Sequence, residues 1–384
     1  MTIKNFSIHI PDESLNDLST RLKNTRWPKG KDSSLWKYGT NKDYLKNIVE
    51  YWVEEYDWKT QEKLLNKLPH FKCEIDDLDI HFIHVKGKGK KSIPIILSHG
   101  WPDSFMRYLK IIPLLTDPQS FGGNSNDSFD VVIPSIPGFG FSTLPDAKTV
   151  NNADVADLWK KLMTEELGYQ KFGALGGDMG SGITRYMAHN YPEHLIAIHL
   201  TDVGIIRDIA FAGNIDNLSS NEIRYKQAAS QWIAQEGGYM SIQSTKPLTL
   251  GYGLSDSPVG LAAWILEKFY SWSDCNGDLN NRFGKDELLT NIMIYWLNNS
   301  IGTSNHIYYE NTHSLPKLGK ITVPTGLALF SKDVLPPPRN WVENNLNLVQ
   351  WTEIPEGGHF TAMEAPQLFS NDVINFFRNF RTGN

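Results

Sequence analysis

After Phe6-Ser-Ile-His-Ile-Pro, Asp12 offers a helix start, and Leu15, Leu18 and Leu22 recur at helical spacing, so a short helix is predicted within residues 6–28. The next fifty residues carry Trp36, Tyr38, Tyr44, Tyr51, Trp52, Tyr56 and Trp58. That density of aromatic side chains predicts an extension lying on a larger body, not an independent domain. From Phe71 the pattern changes to β-type alternation in Ile80-His-Phe-Ile-His-Val85. It then becomes two apolar runs, Ile93-Pro-Ile-Ile-Leu97 and Phe129-Asp-Val-Val-Ile133. Such runs suit strands buried on both faces of a parallel sheet, with Phe105 to Leu115 between them as a crossover helix.

A further strand, Phe172-Gly-Ala-Leu175, passes through glycines into a helix from about Ser181 to His189, which stops before Pro192. Leu195 to Leu200 resumes the sheet. Residues 205–315 turn helical and aromatic, with Ser257 and Pro258 placed as N-cap and first residue of a helix reaching Trp272. The β pattern returns at Thr322 to Phe330 and near Leu348 to Ile354, and a helix around Ala365 to Phe380 closes the chain. The expectation is an α/β fold with a predominantly parallel sheet. Residues 1–85 form an extension packed on the core, 86–204 its first part, 205–315 an inserted helical lid and 316–384 its second part.

Composition narrows the partners. The 384 residues are 40% hydrophobic and hold no apolar run long enough to cross a membrane. The 37 basic and 43 acidic residues give a formal charge of −6, which offers no general attraction to phosphate backbones or anionic lipid, so neither nucleic acid nor membrane is expected. The start, Met1-Thr-Ile-Lys-Asn-Phe, lacks a secretory apolar stretch, and only Cys73 and Cys275 are present, so a cytoplasmic setting is expected. The basic cluster Lys86 to Lys91 reads as a solvated turn. His81 and His84 point to opposite faces of a strand and make a poor metal pair.

The chemistry gathers at chain turns. Gly176-Gly-Asp178-Met-Gly-Ser181 sits at a strand-to-helix junction, where small residues permit the sharp turn that exposes a nucleophile; alone such a turn is more often an ordinary helix cap. Asp333 follows a late apolar strand and His359 sits in the turn Gly357-Gly-His-Phe360, so the order is nucleophile, acid, histidine, as in α/β-hydrolases. His99-Gly-Trp-Pro102 supplies a loop whose Trp101 amide, with that of Met179, is expected to form an oxyanion hole. His99 itself is expected to shape that loop. A carboxylate nucleophile is informative: attack on an alkyl carbon leaves an ester that water can hydrolyse, whereas a serine would leave an ether. The electrophile is then a strained epoxide or a carbon bearing halide.

These residues resemble the microsomal-type branch of the epoxide hydrolase family. The resemblance is carried by Ile10-Pro-Asp-Glu, Thr25-Arg-Trp-Pro28, His99-Gly-Trp-Pro102, Ile133-Pro-Ser-Ile-Pro-Gly-Phe-Gly-Phe-Ser142, Gly176-Gly-Asp-Met-Gly-Ser181, Gly357-Gly-His-Phe360 and the lid stretch Gly238 to Pro247. It implies two lid tyrosines that hold the epoxide oxygen, at Tyr239 and Tyr308, with Tyr309 as the alternative for the second. It also implies hydrolysis without metal or organic cofactor. Two departures stand out: Met179 follows the nucleophile where the family commonly has tryptophan, and Asp333 stands where the branch often has glutamate.

The expected reaction therefore opens a small apolar epoxide to a vicinal diol through an ester on Asp178, with water activated by His359. Trp101, Met179, Trp232 and Trp264 are the expected substrate contacts, and Phe269, Tyr270 and Trp272 are further candidates. Other readings are a haloalkane dehalogenase, an epoxide-opening cyclase and a non-catalytic hydrolase-like binding protein. Oligomeric state stays open between monomer and homodimer.

Overall fold

The computed structural model describes residues 3–29 and 36–381, so parts of the expected extension, residues 1–2 and 30–35, lie outside the described residues. Among the described residues nine strands form one sheet: β1 (Lys4–Phe6), β2 (His70–Ile75), β3 (Leu78–Val85), β4 (Ile93–Ser98), β5 (Phe129–Pro134), β6 (Phe172–Gly176), β7 (Leu195–Leu200), β8 (Ile321–Lys332) and β9 (Leu346–Gly358). Their order is β1-β2-β3-β5-β4-β6-β7-β8-β9. The first three and β5 pair antiparallel, and β5 through β9 pair parallel by way of β4.

The parallel centre follows from composition. Ile95, Ile96 and Leu97 of β4 and Val131, Val132 and Ile133 of β5 are all fully buried, as strands covered by helices on both faces must be. At Gly173 in β6 a Cβ would lie 2.5 Å from the Phe377 ring, so the missing side chain lets the C-terminal helix Pro366–Arg378 sit down on the sheet.

Two element boundaries differ from the sequence pattern. Phe105 to Leu115 is not one α-helix but a 3-10 stretch, Phe105–Ile111, followed by a short α-turn, Ile112–Thr116. Pro113 has no N–H to donate to Leu109 and so breaks the α ladder at that point. The helix after β6 begins at Met179, not Ser181, because the turn is completed within Asp178 itself.

The helices between β7 and β8 are fastened to the N-terminal segment. Ser257 caps the helix Pro258–Trp272 by accepting from the Gly260 amide. That helix is apolar over most of its circumference up to Leu266, and the segment before β2 covers its outer side. Arg21 donates to the backbone carbonyl and the carboxylate of Asp256, and Thr40 donates to the Ala263 carbonyl. Tyr51 donates to Asp286, and the Trp36 and Tyr270 rings stack at 4.0 Å. No helix among the described residues is long and apolar enough to cross a membrane.

Candidate active site

Asp178 lies at the C-terminal end of β6 with φ 58° and ψ −128°, a conformation that side chains resist and that persists only where the surroundings impose it. They do so through close backbone packing: a Cβ at Gly180 would collide with the Ser98 carbonyl oxygen, and one at Gly176 with the Gly180 carbonyl oxygen. Asp202, the second residue beyond β7, closes the turn by accepting the Asp178 backbone N–H on Oδ2 at 2.7 Å.

The Asp178 carboxylate is held at both ends. Oδ1 accepts the Trp101 backbone N–H at 2.9 Å, the adjacent Met179 amide helps to hold the carboxylate charged, and Oδ2 faces His359 Nε2 at 3.1 Å. His359 Nδ1 donates to Asp333 Oδ1 at 2.8 Å. The imidazole thus bridges Asp178 and Asp333, whose loop follows β8, from the turn that ends β9.

Burial works against a charged His359, but Asp333 and Asp178 on its two sides outweigh burial and hold its pKa well above 6.5. Burial likewise favours neutral Asp178, yet His359 and the two amides hold its pKa below 3.8. Asp202 goes the other way: burial first, then the negative Asp333, push its pKa up.

Tyr239 and Tyr308 cover Asp178 from the helices Gly238–Gln243 and Ile301–His313. Their rings meet edge to face with centroids 5.8 Å apart, and both pack on Trp101, Tyr239 stacked at 5.2 Å and Tyr308 edge-on at 5.8 Å. Burial and the Asp178 charge raise the pKa of both phenols, so each carries its proton at neutral pH. Tyr309 is 39% exposed and stacks on His313, so the structure brings Tyr308 and not Tyr309 to the site.

A cavity of about 430 Å³ joins Asp178, His359, Asp333 and the two tyrosines. The segment 3–108 matches the family model described as epoxide hydrolase N terminus, and 93–366 matches that of the alpha/beta hydrolase fold. Epoxide hydrolase 1 of Oryctolagus cuniculus is 40% identical over 404 residues, covering 98% of this chain and 88% of that protein. The chain belongs to the epoxide hydrolase family. Among solved structures, juvenile hormone epoxide hydrolase of the silkworm Bombyx mori is similar with TM-score 0.89 and 33% identity, covering 99% of this chain and 95% of that one. The Aspergillus niger epoxide hydrolase is similar with TM-score 0.86 and 31% identity, covering 99% and 97%. The chain is thus an enzyme of this class, with an epoxide and water as reactants.

Within this epoxide hydrolase the expected substrate contacts divide. Met179, Trp232 and Trp272 line the cavity. Trp101 is fully buried behind the tyrosines, beneath the cavity wall. Trp264, Phe269 and Tyr270 lie outside the lining: the Trp264 indole donates to Gln243, Phe269 stacks on Phe360 at 4.0 Å, and Tyr270 stacks on Trp36. Those three positions of the helix Pro258–Trp272 face the packing around it, and only its last residue reaches the cavity.

Two features of the site escape the sequence pattern. Asp202 is one; a carboxylate just past the end of a parallel strand was the signal for it. The second is the buried pair of Asp103 and Arg107, one helical turn apart, in which Arg107 also donates to the His359 backbone carbonyl at 2.6 Å while Asp103 accepts the Gly100 amide at 2.8 Å. This pair ties the Trp101 loop to the histidine turn. His99 shapes the loop as its early position predicts: it accepts the Ile136 amide on Nε2 and bonds the Gly100 carbonyl through Nδ1, which holds the loop from behind.

Proposed function

We propose that this epoxide hydrolase opens an apolar epoxide in two covalent steps on Asp178. The observation that carries the reading is His359 bridging Asp333 and Asp178 at 2.8 and 3.1 Å, while the Trp101 backbone amide holds the other oxygen of Asp178. In the first step Oδ2 attacks a ring carbon, and the carbon–oxygen bond of the ring breaks. The departing alkoxide takes a proton from Tyr239 or Tyr308, giving a hydroxyalkyl ester.

Esterification removes the charge of Asp178. The pull that holds His359 protonated then weakens and its pKa falls; its proton passes to the tyrosinate left by the first step, restoring the phenol, and the neutral imidazole, oriented by Asp333, takes a proton from water. The hydroxide attacks the ester carbonyl carbon, and negative charge develops on Oδ1, where the Trp101 amide already donates and beside which the Met179 amide stands. The alkyl carbon–oxygen bond stays intact, the acyl–oxygen bond breaks, the diol leaves, and one water oxygen remains in Asp178. The released alkoxide takes the proton of the carboxylic acid formed, so Asp178 ends as a carboxylate beside a protonated His359, as at the start.

Trp232, Trp272, Val203 and Leu335 in the lining support an apolar body for the substrate. Cys73 and Cys275 are both free and buried, which supports a reducing, cytoplasmic setting.

The test is one turnover of an epoxide in ¹⁸O-labelled water, followed by mass analysis of the peptide holding Asp178. Label in Asp178, and an unlabelled alkyl ester accumulating in His359→Gln, is the expected result. Label confined to the diol would replace the ester route with direct attack by water.

A further inference from the structure

The cavity has a second end whose chemistry the opening of an epoxide leaves unused. Asp178, Gly182 and Arg185 stand at intervals of four and three residues along the elbow helix Met179–Asn190, so they share one face. Arg185 is seven residues from Asp178, about 10 Å along the helix axis.

Two side chains at that end, Asn152 and Arg185, line the cavity and each keep an N–H donor without a partner among the described residues. Asn152 is 8% exposed, and its amide orientation is fixed by Asn311, which gives Nδ2 to Asn152 Oδ1 and takes the Asn152 backbone N–H on Oδ1. The acceptor of Asn152 is therefore spent. Its Nδ2, with no partner among the described residues, lies against Gly182, where a Cβ would run into it. Glycine at 182 is what keeps this donor open to the cavity.

Arg185 lines the same cavity, half-buried. One of its terminal nitrogens donates to the Val203 carbonyl at 2.9 Å, Nε is buried with no partner, and the guanidinium forms no ion pair among the described residues. Asp202 is the carboxylate that acts on it most, but the Asp202 oxygens accept the amides of Asp178 and Gly204. A guanidinium cannot shed its charge, so a partly desolvated one with no carboxylate in ion-pair contact carries a cost that an anion of the ligand would offset. Arg207 adds a second cation at the exposed rim.

We propose that the substrate is an epoxide bearing a carboxylate, which the Arg185 guanidinium and the Asn152 amide hold while the ring lies over Asp178. This rests on the epoxide-opening reading above and names the substrate class. A planar carboxylate has two oxygens for two donors, and arginine binds it in fork geometry. The opposite placement is disfavoured by charge: Asp178 and Asp333 flank His359 at the reacting end, where a second anion would be repelled. One orientation follows, and with it a fixed choice of which ring carbon faces Asp178.

The test uses three probes: a terminal epoxide of a medium-chain fatty acid, its methyl ester, and the terminal epoxyalkane of the same length. The wild type should favour the acid over the alkane in kcat/KM by at least about tenfold, mainly through KM. Arg185→Gln should lower that ratio about tenfold, and Arg185→Lys should restore part of it. A wild-type ratio at or below one, or a ratio unmoved by Arg185→Gln, overturns the proposal. Calorimetry with the diol acid reads the recognition without turnover, and binding should weaken about tenfold in Arg185→Gln. Diol-acid binding with no epoxide opened would leave this site standing and sink the reaction. Epoxides opened with no preference for the acid would do the reverse.

Discussion

The Asp202 carboxylate accepts the backbone N–H of Asp178 at 2.7 Å on one oxygen and that of Gly204 at 2.9 Å on the other. It is a clamp on the backbone of the elbow, and both of its oxygens are engaged. Asp202→Asn should break the clamp, because the amide NH₂ must face one of the two N–H donors. The expected cost is about 1–3 kcal/mol of stability. Since Asp178 is held at positive φ, kcat should fall as well, without a matching change in KM. Thermal unfolding and steady-state kinetics read the two effects, and unchanged melting and kcat in the Asp202→Asn enzyme would remove Asp202 from the elbow.

The acidity of His359 should depend on the charge of Asp178. With both carboxylates present its pKa lies above 6.5; in Asp178→Asn one of them is gone and the value should drop, readable from the imidazole signals in an NMR pH titration. The ion pair also contributes to stability within a defined window. The raised histidine contributes fully below its unfolded value of 6.5 and loses that contribution as pH climbs through its folded pKa. The depressed Asp178 contributes above its unfolded value of 3.8 and loses it as pH falls through its folded pKa. Acid and alkaline flanks of the melting curve should therefore both flatten in Asp178→Asn.

Tyr239→Phe and Tyr308→Phe should each slow formation of the ester by about 10-fold to 100-fold, since the partner phenol still serves the ring oxygen, and the double variant should be slower than either. Stopped-flow measurement of the first step separates this from ester hydrolysis. Equal loss in the hydrolysis step would point to packing on Trp101 and not to proton delivery.

Arg107 is 1% exposed and joins Asp103 to the His359 carbonyl. Arg107→Met leaves Asp103 buried without its cation and should cost about 3–5 kcal/mol. Chemical denaturation measures it.

Met179→Trp restores the family's common residue at a position that lines the cavity. The backbone amide is unaffected, so small epoxides should still turn over, while the preference for bulky over small ones should fall by about tenfold. An unchanged preference would place the side chain away from bound substrate.

The strands were legible in sequence because β4, β5, β6 and β7 are short apolar runs bounded by turns, and their boundaries need only local pattern. The order of Asp178, Asp333 and His359 along the chain made the α/β-hydrolase arrangement legible too. Phe105 to Leu115 misled because helical periodicity does not register the missing donor of Pro113. Tyr308 and Tyr309 are adjacent, and only the packing of the helix Ile301–His313 turns one inward and leaves the other to His313. Trp264 had the composition of a cavity wall, but its indole is used to bond Gln243. Asn152 and Arg185 were invisible for a different reason: an asparagine after an asparagine reads as a helix cap, and a lone arginine as surface. Both acquire meaning only when the fold leaves their donors unanswered.

The bonds from Arg21, Thr40 and Tyr51 into the segment between β7 and β8 join two stretches that lie some two hundred residues apart in sequence. For recombination this makes them one inheritable block. A helical segment exchanged from a relative would arrive facing Trp36 and Arg21 residues tuned to another surface, so variation in substrate choice is transmissible only when both stretches travel together or when changes stay on the cavity side.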